Sequence, residues 1–379
     1  MQAATVEMLG KYHLWWGGNG QRLDWAMVRG LRSGKHMFNR IEGNVEVCRK
    51  NSLALNIART CGAPPWLPAT CVVSKGGGNQ AWASMQERYD KAAANGQGRV
   101  WIVKPGAMNR GRGIELADSM EKIKAIVASG PAGSTWVVQK YIERPLLVGG
   151  RKFDIRAFAL VTPDGGLKMF EDAYVRTSSS AYNLAELGDL AAHLTNDAVQ
   201  KSHGTYGAHE DHNKLSLEEL DEKTGGRHNI VHKFKTEMRQ IVADVFGGVA
   251  QKFNTSNFQW TFELFGLDFM LDDRGQVYLI EINTSPALFL HGSKLTKMLP
   301  QVIEGIVQCC VDPKFPPPPG WSATTVPPGQ RFTDVPGNVR IGRPSVRARS
   351  FVKTPSRLKQ PAAQNNTPGA NGQPGAPGT

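Results

Sequence analysis

Residues 264–283 read LFGLDFMLDDRGQVYLIEIN, two apolar runs joined by the turn Asp272-Asp-Arg-Gly275. Each run has the character of a strand. Yet each carries polar oxygen where a core residue belongs: Asp268 in the first, and Glu281 with Asn283 two residues later in the second. A carboxylate inside an apolar strand is costly without a partner. If the two strands pair across the turn, Asp268, Glu281 and Asn283 converge on one side as hard oxygen ligands, the kind Mg²⁺ takes when it bridges nucleotide phosphates. Pairing with lysines and arginines elsewhere accounts well for one acid and poorly for three converging oxygens.

The matching cations stand upstream. Arg151-Lys-Phe-Asp-Ile-Arg156 sets Lys152, Asp154 and Arg156 on one face of a strand and Phe153 with Ile155 on the other. A solvated outer face would use the same letters. Arg176, in Tyr174-Val-Arg176 of the next strand, adds a second guanidinium, and arginine forks suit carboxylate and phosphate oxygens, so the pattern reads as an anion clamp. Earlier, WIVKPGAMNRGRGI (residues 101–114) is a strand ending at Lys104 and running into a loop with Gly106, Gly111 and Gly113. Such glycines let backbone N–H groups approach a phosphate. Arg112-Gly113 follow Gly111 where a Walker A motif requires Lys and Ser or Thr, so this is a basic phosphate loop of another kind or an ordinary turn. Val138-Gln-Lys-Tyr-Ile142 turns polar at Gln139, Lys140 and Tyr141 before Glu143-Arg-Pro145. It is either the edge of an adenine pocket, with Ile142 against the ring, or a surface strand end. His193-Leu-Thr-Asn196 offers imidazole, hydroxyl and amide groups near the clamp, or a structural histidine; His203, His209 and His212 lack a metal-ligand pattern.

The remainder fits an α/β enzyme. With 379 residues, 40% hydrophobic and 21% charged, the chain is neither a disulfide-stapled peptide, a collagen-like repeat nor wholly disordered. Strands are predicted at Val100–Lys104, Trp136–Ile142, Phe153–Val161, Leu167–Val175, Phe262–Leu271 and Gln276–Ile282. Helices are predicted at Arg49–Arg59, Ala81–Ala94, Met120–Ala128, Leu217–Glu222 and Asn229–Phe253, with a capping box at Ser216 and Glu219 and a cap at Asp118 or Ser119. Five cysteines without CxxC spacing fit a reducing compartment, and the absence of a signal peptide or a run of about 18 apolar residues implies a soluble intracellular protein. Residues 313–379 hold 14 of the 23 prolines and nine Lys or Arg against one acid, Asp334. A disordered tail follows from that composition. It carries eight of the twelve net positive charges, as a tether for an acidic partner or as a solvated extension.

In order, Cys48-Arg-Lys-Asn-Ser52, WIVKPGAMNRGRGI, VVQKYIERPLLVGGRKFDIRAFALVT, AYVRTSS, HLTNDAVQK, FELFGLDFMLDD and VYLIEINTSPAL resemble the tubulin–tyrosine ligase-like family of the ATP-grasp superfamily, over about residues 35 to 311. Members of that family add amino acids to the acidic tails of tubulin. The resemblance implies an α/β (α+β) ATP-grasp fold with an N-terminal lobe (1–75), a central lobe (76–165) and a C-terminal lobe (166–312), followed by the basic tail (313–379). By the same resemblance ATP and Mg²⁺ are the cofactors. Lys104 would contact nucleotide phosphates, Gln139, Lys140, Tyr141 and Ile142 would line the adenine pocket, and Lys152 with Asp154 would lie at the ribose side and the acceptor region. Arg156 would sit near the γ-phosphate, Arg176 near the substrate carboxylate, and Asp268, Glu281 and Asn283 around Mg²⁺. Lys50 falls on an ATP-side motif position, and His193, Thr195 and Asn196 on substrate-side positions.

The implied reaction is carboxylate–amine ligation through an acylphosphate, with tubulin or microtubules and a free amino acid as partners, no nucleic acid or membrane, and a monomeric enzyme. The implied location is the cytoplasm and cytoskeleton, including cilium, flagellum or basal body. The basic extension resembles the cationic microtubule-binding segments of glutamylases, which favours glutamate; tyrosine and glycine are the alternatives within the family. Outside that reading stand a non-catalytic microtubule-binding protein and an ATP-grasp ligase of small molecules.

Overall fold

The computed structural model describes residues 13–17, 23–31, 35–96, 98–106, 108, 111–317 and 331–342, which fall in one compact unit, Met1–Ser345. Two short strands, β1 (Leu14–Trp15) and β2 (Met37–Phe38), pair in parallel near its start. A small sheet follows, built from β3 (Thr70–Ser74), β4 (Trp101–Pro105), β5 (Glu115–Ala117) and β6 (Thr135–Lys140) in the order β3-β6-β4-β5, antiparallel throughout. Helices Asn79–Ala94 and Met120–Ser129 cover one face, where Met85, Ile123 and Val127 pack on Trp101, Val103, Trp136 and Val138. The second helix starts at Ser119, whose Oγ accepts from the Lys122 N–H at 3.2 Å, and it buries Met120, Ile123, Ile126 and Val127 on one stripe. Alternation leaves Ile102, Lys104 and Gln139 on the opposite face.

The large sheet contains β7 (Leu147–Val148), β8 (Arg151–Val161), β9 (Leu167–Phe170), β10 (Tyr174–Ala181), β11 (Lys214–Ser216), β12 (Glu263–Leu271), β13 (Val277–Thr284) and β14 (Phe332–Asp334). Its spine is β11-β10-β8-β12-β13, with β7 and β9 paired to the two ends of β8 and β14 paired to β9; every ladder is antiparallel. β8 is buried along its whole length. One face, Phe153, Ile155, Ala157, Ala159 and Val161, enters the main core beneath helices Lys50–Cys61 and Arg239–Val249. The other begins with Lys152, Asp154 and Arg156 and continues with Phe158 and Leu160, which lie under Leu295, Leu299, Val302 and Ile306 of helix Gly292–Ile306. That helix covers the apolar half of the face and leaves the charged half to form the site.

Several expectations need correction. The sheets change over at Tyr141–Leu146, so the expected boundary at 165 falls in the turn between β8 and β9 of one sheet, and β3 begins before residue 75. The strand expected at Leu167–Val175 is interrupted at Glu171–Ala173; β9 and β10 run along the same edge of β8 on either side of the break. The helix expected at Asn229–Phe253 contains a π turn at Phe234–Met238. Ile230, Phe234 and Met238 are buried at intervals of four, which drift off one face at 3.6 residues per turn; the wider turn keeps them aligned. Helix Gly292–Ile306 and strand β3 were not anticipated.

The tail expected to be disordered from residue 313 instead contributes β14. Phe332, Val335 and Ile341 are buried, Phe332 meets Phe170 edge-on at 5.3 Å, and the Ile341 N–H donates to the Gly165 carbonyl at 2.7 Å. Composition averages this docked stretch together with its proline-rich surroundings; residues 343–379 lie outside the described residues. Phe332→Ala is expected to lower stability by about 3 kcal/mol in denaturant titration, as large-to-small core changes do. An unchanged midpoint would show that the strand does not dock.

Candidate active site

The charged half of β8 faces the outward side of the small sheet across one cavity. The small sheet supplies Ile102, Lys104 and Gln139, the chain between the sheets Tyr141 and Ile142, and β8 Lys152 with Asp154. Arg176 comes from β10, Asp268 and Met270 from β12, and Ile280 and Glu281 from β13, while Leu194, Thr195 and Asn196 close the remaining side. A larger cavity, beside Asn254, Trp260 and Cys309, contains none of the residues singled out from the sequence.

Ladder register assembles the charges. Asp268 stands opposite Arg156 on one side and Glu281 on the other, and Arg176 stands opposite Asp154. Arg156 donates from Nε and Nη2 to the two Asp268 oxygens at 2.5 and 3.1 Å. Arg176 donates from Nε and Nη2 to Asp154 at 2.6 and 2.7 Å, and its Nη2 lies 2.8 Å from Asp268 Oδ2. The Thr195 hydroxyl donates to Asp154 as well. The four charges form one buried chain, Asp154–Arg176–Asp268–Arg156. Burial works against the charge of Asp268, but the two guanidiniums outweigh it and hold the carboxyl well below its ordinary range.

Two lysines are buried beside this chain with no carboxylate of the described residues within salt-bridge distance. Lys104 donates to Gln139 Oε1 at 2.8 Å, and burial lowers its pKa to about 8. Lys152 donates to the Tyr141 hydroxyl and the His193 carbonyl, each at 2.9 Å; burial, with help from the Lys104 charge, lowers it to about 7. Both would bind an anion readily, because an incoming negative charge relieves each of them. At the mouth, Glu281 accepts from Asn283 Nδ2 at 2.9 Å and lies 3.4 Å from Lys50 Nζ. Asp268, Glu281 and the amide oxygen of Asn283 are all hard donors on adjoining strands, a set that fits Mg²⁺.

A family model described as the tubulin-tyrosine ligase family matches residues 30–319. The chain belongs to that family. Its α+β architecture is accordingly of the ATP-grasp type. It is 32% identical over 239 residues to tubulin glycylase 3B of Tetrahymena thermophila, covering 62% of this chain and 20% of that protein. It is 35% identical over 251 residues to tubulin glycylase 3A of Drosophila melanogaster, covering 62% and 24%. It is 33% identical over 233 residues to a human protein named inactive polyglycylase TTLL10, covering 54% and 34%. The chain thus spans about a fifth to a third of the length of these relatives. They carry the names of glycylases, and the expectation of glutamate finds no support among them.

Within this family member, not every residue singled out from the sequence meets the cavity in the expected way. Lys140 follows Gln139 on β6, so alternation turns its side chain to the other face, and its ammonium binds the Val100 carbonyl at 2.8 Å and Glu143 at 2.5 Å. Lys50 binds the Met108 carbonyl at 3.1 Å as well as approaching Glu281. His193 is buried, with Nδ1 2.9 Å from the Tyr141 hydroxyl, and burial lowers its pKa; Asn196 caps helix Asp197–Gln200 through the Val199 N–H. Of the glycine loop, Ala107, Asn109 and Arg110 lie outside the described residues. Gly111 adopts φ +73°, and a Cβ there would stand 2.7 Å from the Asn196 amide, so loop and HLTN segment meet closely. His203 binds Ser180 and His212 stacks on His291; no cluster of three metal-ligating His, Cys, Asp or Glu occurs among the described residues. Apart from Ile142, sequence reasoning missed the apolar lining. Met270 was legible as the residue two past Asp268, whereas Pro68 and Ile114 gave no signal.

The buried lysines set a pH dependence. Below pH 7 the folded protein keeps the full cost of a buried Lys152 ammonium. From there toward its ordinary value of 10.5 the unfolded chain binds more protons, so stability rises with pH. Lys104 adds to the rise from about pH 8. Lys152→Met is expected to flatten the profile between pH 7 and 10, with a slope smaller by up to about 1.4 kcal/mol per pH unit. Parallel profiles for the two proteins would refute the assignment.

Proposed function

We propose that this chain is an ATP-dependent ligase that joins glycine to carboxylates of the acidic tubulin tail. The observation that carries the reading is the buried chain Asp154–Arg176–Asp268–Arg156 set beside Lys104, Lys152 and Glu281. Glycine is favoured because relatives in the family are named tubulin glycylases. Tubulin as substrate gives the protein a cytoskeletal place of work.

The chemistry has two steps. A tail carboxylate oxygen forms a bond to the γ-phosphorus of ATP as the bond to the bridging oxygen of ADP breaks. The glycine amine then attacks the acyl carbon, the bond from carbon to the phosphoryl oxygen breaks, phosphate leaves, and the amine proton passes to phosphate or solvent. Neither step needs a nucleophilic side chain, so the protein acts by alignment and charge neutralisation. The apolar slot of Ile102, Ile142, Met270 and Ile280 suits a purine ring, with Lys104 and Lys152 toward the phosphates. The ion pairs of Arg156 and Arg176 use the Nε and Nη2 side, which leaves the Nη1 donors for the phosphoryl group and the acyl carboxylate. Mg²⁺ would be held by Asp268, Glu281 and Asn283 and would neutralise charge on the phosphate oxygens.

A second reading, a family member without catalysis, draws on the human relative named inactive. One experiment separates the two: incubation with microtubules, ATP, Mg²⁺ and glycine, glutamate or tyrosine in turn, followed by mass analysis of the tubulin tails. Glycine increments are expected. Increments from glutamate or tyrosine alone would replace the amino acid, and none from any of the three would favour the non-catalytic protein. Glu281→Gln should lower turnover at least about 100-fold with the thermal unfolding midpoint unchanged; near-normal turnover would remove Glu281 from the site.

A further inference from the structure

Immediately past β13 the chain makes a turn that is held from outside the cavity. Ser285 adopts φ +46°, a left-handed conformation that a residue with a Cβ seldom takes. Its hydroxyl accepts from Nη2 of Arg40. Arg40 is itself fixed at the N-terminal end of the molecule: Nη1 donates to the Asn39 carbonyl at 2.7 Å and Nη2 to the Gly17 carbonyl at 3.1 Å. Nε lies 3.9 Å from Glu263, a fully buried carboxylate that also accepts from the Ile41 N–H at 2.9 Å and from Asn44 at 3.0 Å. The guanidinium therefore ties the start of β12 to the turn after β13.

The turn reaches the reactive groups through one close contact. Its conformation seats Pro286 over Gly266, where a Cβ added to the glycine would stand 2.8 Å from Pro286 Cβ and 3.4 Å from Cδ and Nε of Arg156. Pro286 on one side and the Arg156 shaft on the other thus fill the space above Gly266. Asn283, directly across the ladder from Gly266, is two residues before Ser285. Displacing the turn would take Pro286 away from Gly266 and the Arg156 shaft, leaving Arg156 held by its bonds to Asp268, and would loosen the strand end that carries Asn283.

We propose that Arg40 is a positioning residue for the ligase reaction: by clamping Ser285 in its left-handed conformation it keeps Pro286 on Gly266 and so fixes Arg156 and Asn283. The inference rests on the ligase activity proposed above. Arg40 is not among the residues that line the cavity, so its effect should appear in kcat far more than in nucleotide binding.

The test compares Arg40→Met and Ser285→Ala with the double variant Arg40→Met/Ser285→Gly. Both single variants should lower kcat about 10- to 100-fold while KM for ATP stays within about twofold. The double variant should recover most of the loss, because glycine takes a positive φ without a clamp. If Arg40 only stabilises the N-terminal region, glycine at 285 restores nothing, and that result overturns the proposal. So does unchanged kcat in Ser285→Ala, the variant that leaves the other Arg40 bonds in place. Absence of turnover in the unsubstituted protein would refute the ligase reading instead. Hydrogen exchange in the ligand-free protein then decides the clamp alone: faster exchange at residues 284–288 in Arg40→Met supports it, and unchanged exchange overturns it.

Discussion

Two guanidiniums buried side by side repel each other and have lost their water, and Asp268 is the group that makes the arrangement tolerable. It accepts from Arg156 and lies 2.8 Å from Nη2 of Arg176, while Asp154 accepts from Nε and Nη2 of Arg176. Removing one carboxylate from such a chain leaves an uncompensated charge in the sheet interior. The pairing also ties chemistry to register. Because side chains alternate along a strand, a slip of β12 by one residue would carry Asp268 into the main core and leave Arg156 without its carboxylate and Arg176 with Asp154 alone. The ladders of β10, β8, β12 and β13 are therefore held by the same ion chain that forms the site.

The layering around β8 decides where that site can open. From Phe153 onward one face of the strand is apolar and feeds the principal core. The other changes from charged to apolar after Arg156, and helix Gly292–Ile306 covers only the apolar part. What remains is bounded by the small sheet, whose outward residues bring a lysine and an amide instead of a second apolar layer. Dry walls and unneutralised ammonium groups make the ligand-free cavity receptive to polyanions, without any single residue acting as a nucleophile.

Much of this was legible from strand alternation. Lys152, Asp154 and Arg156 at i, i+2 and i+4, and Glu281 with Asn283 at i and i+2, lie on the faces that period two assigns them, and the Ser216–Glu219 capping box forms with both of its bonds. The failures have physical causes. Lys140 lines the cavity beside Gln139, but its side chain leaves on the opposite sheet face toward Val100 and Glu143, a difference that letters alone do not show. The break at Glu171–Ala173 reflects two strands sharing one edge of β8, which no local pattern records. Helix Gly292–Ile306 carries apolar residues at 295, 298, 299, 302 and 306, yet Pro300 and two glycines hide the period. The lean to glutamate came from the charge of residues 313–379, and none of the described residues of that stretch lines the cavity, so charge alone carried no information about the amino acid joined.

The docking of β14 changes how drift in the last part of the chain should be viewed. A proline-rich extension ordinarily accumulates substitutions, insertions and deletions with little selection against them. Here Phe332, Val335 and Ile341 are bound to a sheet edge and to the turn at Gly165, so purifying selection should act on a short island inside an otherwise permissive region. The length of chain between residue 317 and that island is free to vary among relatives only as far as it still lets the strand reach β9.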